Sequence, residues 1–179
     1  MTNSSMECRL QLPQPQQLDP RQREIHDAIL ASRGNMDGPF LAWLFSPVFA
    51  GLAQKLGEFC RFNTSLSLLE SELLILLVAA HFDCIGERQI HEPIAIAAGL
   101  PMAAAAAIHA KRTAMLEGER LALLQELTRQ LLTTHRVKDD LYGRALALLG
   151  EQTLVETVGL IGYYTLVAMT LNTFEMHKS

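Results

Sequence analysis

From Pro20 onward the apolar positions recur at helical spacing, and no window shows the strict alternation of a half-buried strand. Ile25, Ala28 and Ile29 form the stripe of a first helix, which opens at Pro20 behind the cap Asp19 and should stop near Gly34. The turn-rich stretch Gly34 to Phe40 leads to a short helix over Leu41 to Phe45 and a longer one over Pro47 to Phe62. Ser67 with Glu70 three positions on is a capping box. It opens a helix, running to about Phe82, that is too apolar for a surface element. Asp83 is the expected cap of the next helix, which should start at Cys84, turn Ile90, Ile94 and Ala98 inward, and end at Gly99 before Pro101. Further helices are expected over Pro101 to Ala110, Gly118 to Thr134, Lys138 to Leu149 and Glu151 to Phe174. The fold class is all-α. LLESELLILLVAA and GEQTLVETVGLIGYY each put a Glu at the head of a long apolar helix, a faint echo consistent with a bundle of two related halves.

Composition narrows this picture. With 179 residues, 49% hydrophobic and 19% charged, the chain can bury one sizeable core. We expect an extended Gln/Pro-rich arm over residues 1–18 and a single domain over 19–179. The arm has neither the apolar segment nor the cleavage site of a signal peptide. Leu154 to Leu171 approaches membrane-span length, but it carries Glu156 and two glycines, and reads as a core or subunit-interface helix rather than a span. A net charge of -4 without a dense Lys/Arg cluster argues against a nucleic-acid partner. Three cysteines, Cys8, Cys60 and Cys84, are too few for a disulfide scaffold and fit a reducing, cytoplasmic setting.

The chemistry-bearing residues are concentrated around one helix. Cys84, Glu87, Arg88 and His91 stand at i, i+3, i+4 and i+7, which places them along one stripe able to address one pocket. At a helix start Cys84 would meet the positive end of the dipole, and Arg88 or His91 would favour its thiolate. His91 lies two turns further on, roughly 10 Å along the axis, so a proton relay through Glu87 or water fits better than a tight dyad. Glu72, near the head of the preceding apolar helix, can stay there only if it is hydrogen-bonded or its pKa is raised.

The spacing Glu72, eleven residues, Cys84, six residues, His91 resembles the E-x11-C-x2-C-x3-H motif of the alkylhydroperoxidase-D family. Similarity to the wider carboxymuconolactone decarboxylase family extends from Gly38 through RFNTSLSLLESELLILLVAAHFDC to GYYTLVAMTLNTF. The resemblance implies an AhpD-like helical bundle, homo-oligomers such as trimers or hexamers joined by apolar helices, and a pocket holding the Glu, Cys and His positions. The family's second cysteine falls on position 87, where this chain has Glu87. A CxxC disulfide therefore cannot form, and peroxidase turnover would need Cys60, Cys8 or an external thiol reductant.

Several residues are weaker candidates. His81 could face the pocket of Cys84 or cap its own helix as a cation. Trp43, Phe40 and Tyr163 or Tyr164 could wall an apolar pocket for a small aromatic or lactone-like ligand, or be ordinary core aromatics. Arg61 could hold a substrate carboxylate. Neither a metal nor another cofactor is expected, since Cys84 and His91 lack further ligands at zinc-like spacing. Three readings follow. The first is a thiol-dependent peroxidase with Cys84 as redox centre, Glu87 and His91 relaying protons, and Glu72 orienting the relay. The second is a decarboxylase or related lyase on a small carboxylated lactone, in which Glu87 or His91 protonates a carbanion and Cys84 is a bystander. The third is a non-catalytic helical oligomer that binds a small ligand, with Cys84 buried and inert.

Overall fold

A computed structural model of the chain describes residues 6–178. Its helices are α1 (Pro20–Arg33), α2 (Phe40–Trp43), α3 (Pro47–Phe62), α4 (Leu68–His81), α5 (Ile85–Ala97), α6 (Met102–His109), α7 (Glu119–Thr134) and α8 (Asp139–Phe174). The all-α class holds. The one departure among the described residues is a two-residue antiparallel pair, β1 (Met6–Glu7) with β2 (His177–Lys178), too short for any alternation to be visible in sequence.

Local chemistry explains the main boundaries. At α1 the Asp19 carboxylate accepts from the Gln22 amide at 2.8 Å, and at α4 the Ser67 amide donates to Glu70 at 2.8 Å, each closing a capping box. The expected break between Leu149 and Glu151 is a kink inside α8, where Gly150 has φ 77° and ψ 168°. This left-handed backbone costs glycine nothing and any other residue strain.

α4 is the central helix, packed against α5, α6, α7 and α8. Its Leu74, Ile75 and Val78 join the main core with Leu124, Leu160 and Val167. Leu73, Leu76 and Leu77 form a second cluster with Ala95, Ala104 and Ile108. With apolar neighbours on both sides, α4 needs no polar face, which explains its uniform hydrophobicity. By length and composition α8 could cross a membrane. In this fold, however, Leu160, Ile161, Tyr164, Val167, Ala168 and Leu171 are buried in the domain core.

The segment before α1 folds back onto the domain. Leu18 is buried, and the Arg9 amide donates to the Phe174 carbonyl at 2.8 Å. The segment after α8 then runs along α5, where the Lys178 amide donates to Gln89 Oε1 at 2.9 Å and Gln89 Nε2 donates back to the Lys178 carbonyl at 2.8 Å.

Candidate active site

The site is built by the sharp turn between α4 and α5. Asp83 adopts left-handed backbone at φ 51°, and the Cys84 amide donates back to the Ala79 carbonyl at 2.8 Å, closing α4 in a Schellman-type turn. Asp83 therefore ends α4 instead of capping α5, and its carboxylate pairs with Lys111 at 2.6 Å. The residue preceding α5 is Cys84, whose thiol makes no capping hydrogen bond. Because α5 returns along α4, Glu72 from the second turn of α4 meets His91.

His91 Nδ1–H donates to Glu72 Oε2 at 2.8 Å, and its Nε2 lies 3.3 Å from Glu87 Oε2. The imidazole is thus held between two carboxyl groups, with Glu72 1%, Glu87 2% and His91 2% exposed. Tyr164 presents its ring edge-to-face to the imidazole with centroids 5.3 Å apart. Tyr163 stacks on Tyr164 in the same manner at 5.3 Å.

Burial raises the pKa of Glu87 above the usual carboxylate range, and the negative Glu72 adds to this; His91, Arg61 and Arg33 pull the other way. Glu87 Oε2 is buried and makes no hydrogen bond, a condition that costs about 1–3 kcal/mol for a polar atom. A carboxyl that resists ionisation, next to an imidazole anchored by a second carboxylate, has the parts of a proton relay: an acid, a carrier and an orienting base.

Glu87 and His91 border a cavity of about 490 Å³ whose lining also includes Arg33, Arg61, Tyr163 and Tyr164. Burial pushes both tyrosine hydroxyls well above the normal phenol range, so they stay protonated hydrogen-bonding groups. The volume falls within the range of about 300–1,000 Å³ typical of small-molecule sites.

The structure divides the expected stripe. Glu87 and His91 turn inward with Ala95, whereas Ile90, Ile94 and Ala98, expected inside, are only half-buried. The inward path of α5 is set by the Glu72–His91 bond rather than by its isoleucines. Cys84 and Arg88 line a different cavity of about 230 Å³ with Leu76, Ile85, Ile108 and His109. Cys84 is 2% exposed. Burial pushes its thiol up to about 11, and Glu87 adds to the rise, while the Glu87 and Gly86 amides offset part of it. The thiolate favoured by the helix start is therefore outweighed by desolvation. Arg88, expected to assist it, instead donates to His109 and lies 3.9 Å from Glu92.

The remaining candidates separate in the same way. Arg61, Tyr163 and Tyr164 reach the larger cavity. Trp43 does not line it. Its indole N–H donates to Thr170 Oγ1 at 3.1 Å, and its ring supports Tyr163 from behind at 6.3 Å. His81 faces neither cavity; it lines a shallow groove with Lys111 and Arg129. Burial, Lys111 and His135 lower its pKa, which disfavours the charged form in which it would cap α4.

Two residues of this site carried no sequence signal. Arg33, at the end of α1, has a guanidinium 4.7 Å from the Phe40 ring centroid. Gly57 on α3 lies so close to Tyr163 that an added Cβ would fall 2.0 Å from the phenol oxygen and 2.9 Å from Arg33 Nη2. Neither spacing nor local composition marks such a meeting of three distant segments. Among the described residues no group of three or more His, Cys, Asp or Glu converges as metal ligands.

The backbone matches two crystal structures over nearly their whole length. One is an alkylhydroperoxidase AhpD core, an uncharacterized peroxidase-related protein from Ralstonia eutropha JMP134, with a TM-score of 0.78 and 15% identity over 96% of this chain and 92% of that one. The other is an uncharacterized peroxidase-related protein from Silicibacter sp. TM1040, with a TM-score of 0.80 and 14% identity over 100% of this chain and 95% of that one. No family model and no curated protein matches the chain. The fold is thus AhpD-like, and it is the fold that the likeness establishes.

Proposed function

We propose that this AhpD-like protein is a thiol-independent proton-transfer enzyme, a decarboxylase or related lyase acting on a small carboxylated lactone. The observation that carries this reading is the buried Glu87–His91–Glu72 row, in which Glu87 Oε2 has no hydrogen-bond partner. In a decarboxylation the bond between the carboxylate and its carbon breaks, carbon dioxide leaves, and the electron pair stays on the substrate as a carbanion delocalised into the lactone. Glu87 then gives its proton to that carbon, a solvent proton taken up at Nε2 converts His91 to an imidazolium held by Glu72, and that Nε2 proton passes to Glu87 and restores both groups. The test is turnover of carboxylated lactones in D2O. One deuterium on the protonated carbon, lost together with activity in Glu87→Gln but kept in Cys84→Ser, supports the reading. Activity that survives Glu87→Gln overturns it.

The descriptions of the two structural neighbours favour a second reading, a peroxidase. In that case peroxide would oxidise Cys84, and an external thiol would reduce it, because Glu87 replaces the resolving cysteine. Peroxide-dependent protection of Cys84 from alkylation is its test. Under either reading we propose that the subunits self-associate through α3 and α8. Support comes from Val48, Leu52 and Val155, about 70% exposed at 70%, 68% and 70%, a density of bare aliphatic surface that favours burial against another copy. Sedimentation of Leu52→Lys, expected to shift toward monomer, checks it.

A further inference from the structure

Arg33 Nε and Nη2 are both buried and have no hydrogen-bond partner. The guanidinium is fixed from one side by Phe40 at 4.7 Å and approached by Phe62 at 5.8 Å, so two donors that would otherwise be hydrated stand bare. An unpaired guanidinium donor in such a place is costly unless a ligand replaces the lost water. Asp37, which lines the same cavity, lies 3.9 Å from Lys178. Glu87 Oε2, in the lining of the same cavity, is likewise buried without a hydrogen-bond partner.

Nε and Nη2 form one edge of the guanidinium, the fork that matches the two oxygens of a carboxylate. We propose that Arg33 is the carboxylate receptor of this cavity: its Nε–Nη2 edge takes one carboxylate of a small flat acid and turns the rest of the molecule toward Glu87. This rests on the proton-transfer reading for the role of Glu87, but not for the binding itself. The matching ligand is a small acid with an unsaturated or aromatic body, which the rings of Phe40 and Tyr164 can flank.

Gly57 is the positioning residue for this receptor. Any side chain at position 57 would displace the buried Tyr163 hydroxyl or the Arg33 fork. The constraint explains a glycine in the interior of α3, where it lowers helix stability by about 1 kcal/mol relative to alanine.

The experiment is calorimetric titration of the full chain with acetate, benzoate, maleate and phthalate, each against its neutral amide. The expected result is saturable binding of at least one unsaturated or aromatic acid, with its amide at least about tenfold weaker. Arg33→Gln removes that preference, Arg33→Lys restores it only in part because the ammonium lacks the fork, and Gly57→Ala lowers the acid-to-amide ratio. Failure of all four acids to bind, or an unchanged acid-to-amide ratio in Arg33→Gln, overturns the proposal. A thermal midpoint that falls in Arg33→Gln with the ratio intact would assign Arg33 to packing alone, and overturns it as well. Glu87→Gln separates this inference from the proposed function: it should keep acid affinity while removing turnover. Receptor binding lost in Arg33→Gln, with turnover retained in Glu87→Gln, would leave the receptor standing and the relay refuted.

Discussion

On one side of α5, Cys84 looks into an apolar cavity of about 230 Å³; on the other, Glu87 and His91 border a polar cavity of about 490 Å³. The same physical effect acts on both. Desolvation raises the pKa of the thiol and of the carboxyl alike, but with opposite chemical results. A thiol held at about 11 loses the anion that makes it a nucleophile, whereas a carboxyl raised above its usual range holds on longer to the proton that it needs as an acid. Burial thus quiets one face of the helix and arms the other.

The strongest way to break this contrast is catalytic. Under the proposed proton-transfer reading, Glu87→Gln should lower kcat on a carboxylated substrate by at least about a hundredfold, while Cys84→Ser should stay within about threefold of the native protein. The opposite ranking would move the chemistry to the thiol face.

Thiol labelling comes next. Cys84 and Cys60 are both buried with their thiols pushed up to about 11, Cys60 chiefly by its own burial, while Cys8 is only partly covered. Mass spectrometry after brief iodoacetamide treatment at pH 8 should find Cys8 modified at least about tenfold faster than the other two. Equal labelling of Cys84 would show that its face opens to solvent.

The carboxyl face also predicts a dependence of stability on pH. Below about pH 4.5, the ordinary value for this group, Glu87 is neutral both folded and unfolded. As pH rises further, the unfolded chain loses the proton while the folded one retains it, so stability falls until the raised folded pKa has been passed. Glu87→Gln removes this decline. At pH 8 it should stabilise the fold by on the order of 1 kcal/mol, seen as a thermal midpoint about 2–4 °C higher, with the difference shrinking toward pH 4. The smallest effect belongs to the rim of the thiol cavity. Arg88→Ala, which breaks a half-exposed contact with Glu92, should cost less than about 1 kcal/mol in urea unfolding and leave turnover unchanged.

The helices were legible because their ends carry local chemistry: Asp19 and Ser67 cap α1 and α4, and Gly150 breaks α8. The apolarity of α4 required a partner for Glu72 without naming it; the α5 stripe joined Glu87 to His91, and the resemblance of the spacing to the alkylhydroperoxidase-D motif joined Glu72 to them. Cys84 and Arg88 were misplaced by the same spacing rule that found the others. Residues at i, i+3, i+4 and i+7 cover a wide arc of helix surface, and two cavities open within that arc. Ile90 and Ile94 misled in a related way, since the apolar pattern of one short helix cannot anticipate a histidine hydrogen-bonded to the neighbouring helix on the inward side. Arg33 and Gly57 were invisible because their role arises only where α1, α3 and α8 converge.

The sandwiched imidazole of His91 carries a reporter of its own. A hydrogen on Nδ1, bonded to Glu72 at 2.8 Å in a ring only 2% exposed, has little water to trade with. It should exchange slowly enough to appear as a discrete far-downfield resonance in the proton spectrum, while 15N-labelled histidine would reveal which ring nitrogen carries the hydrogen at each pH. The resting proton inventory of this buried row becomes directly countable in the free protein.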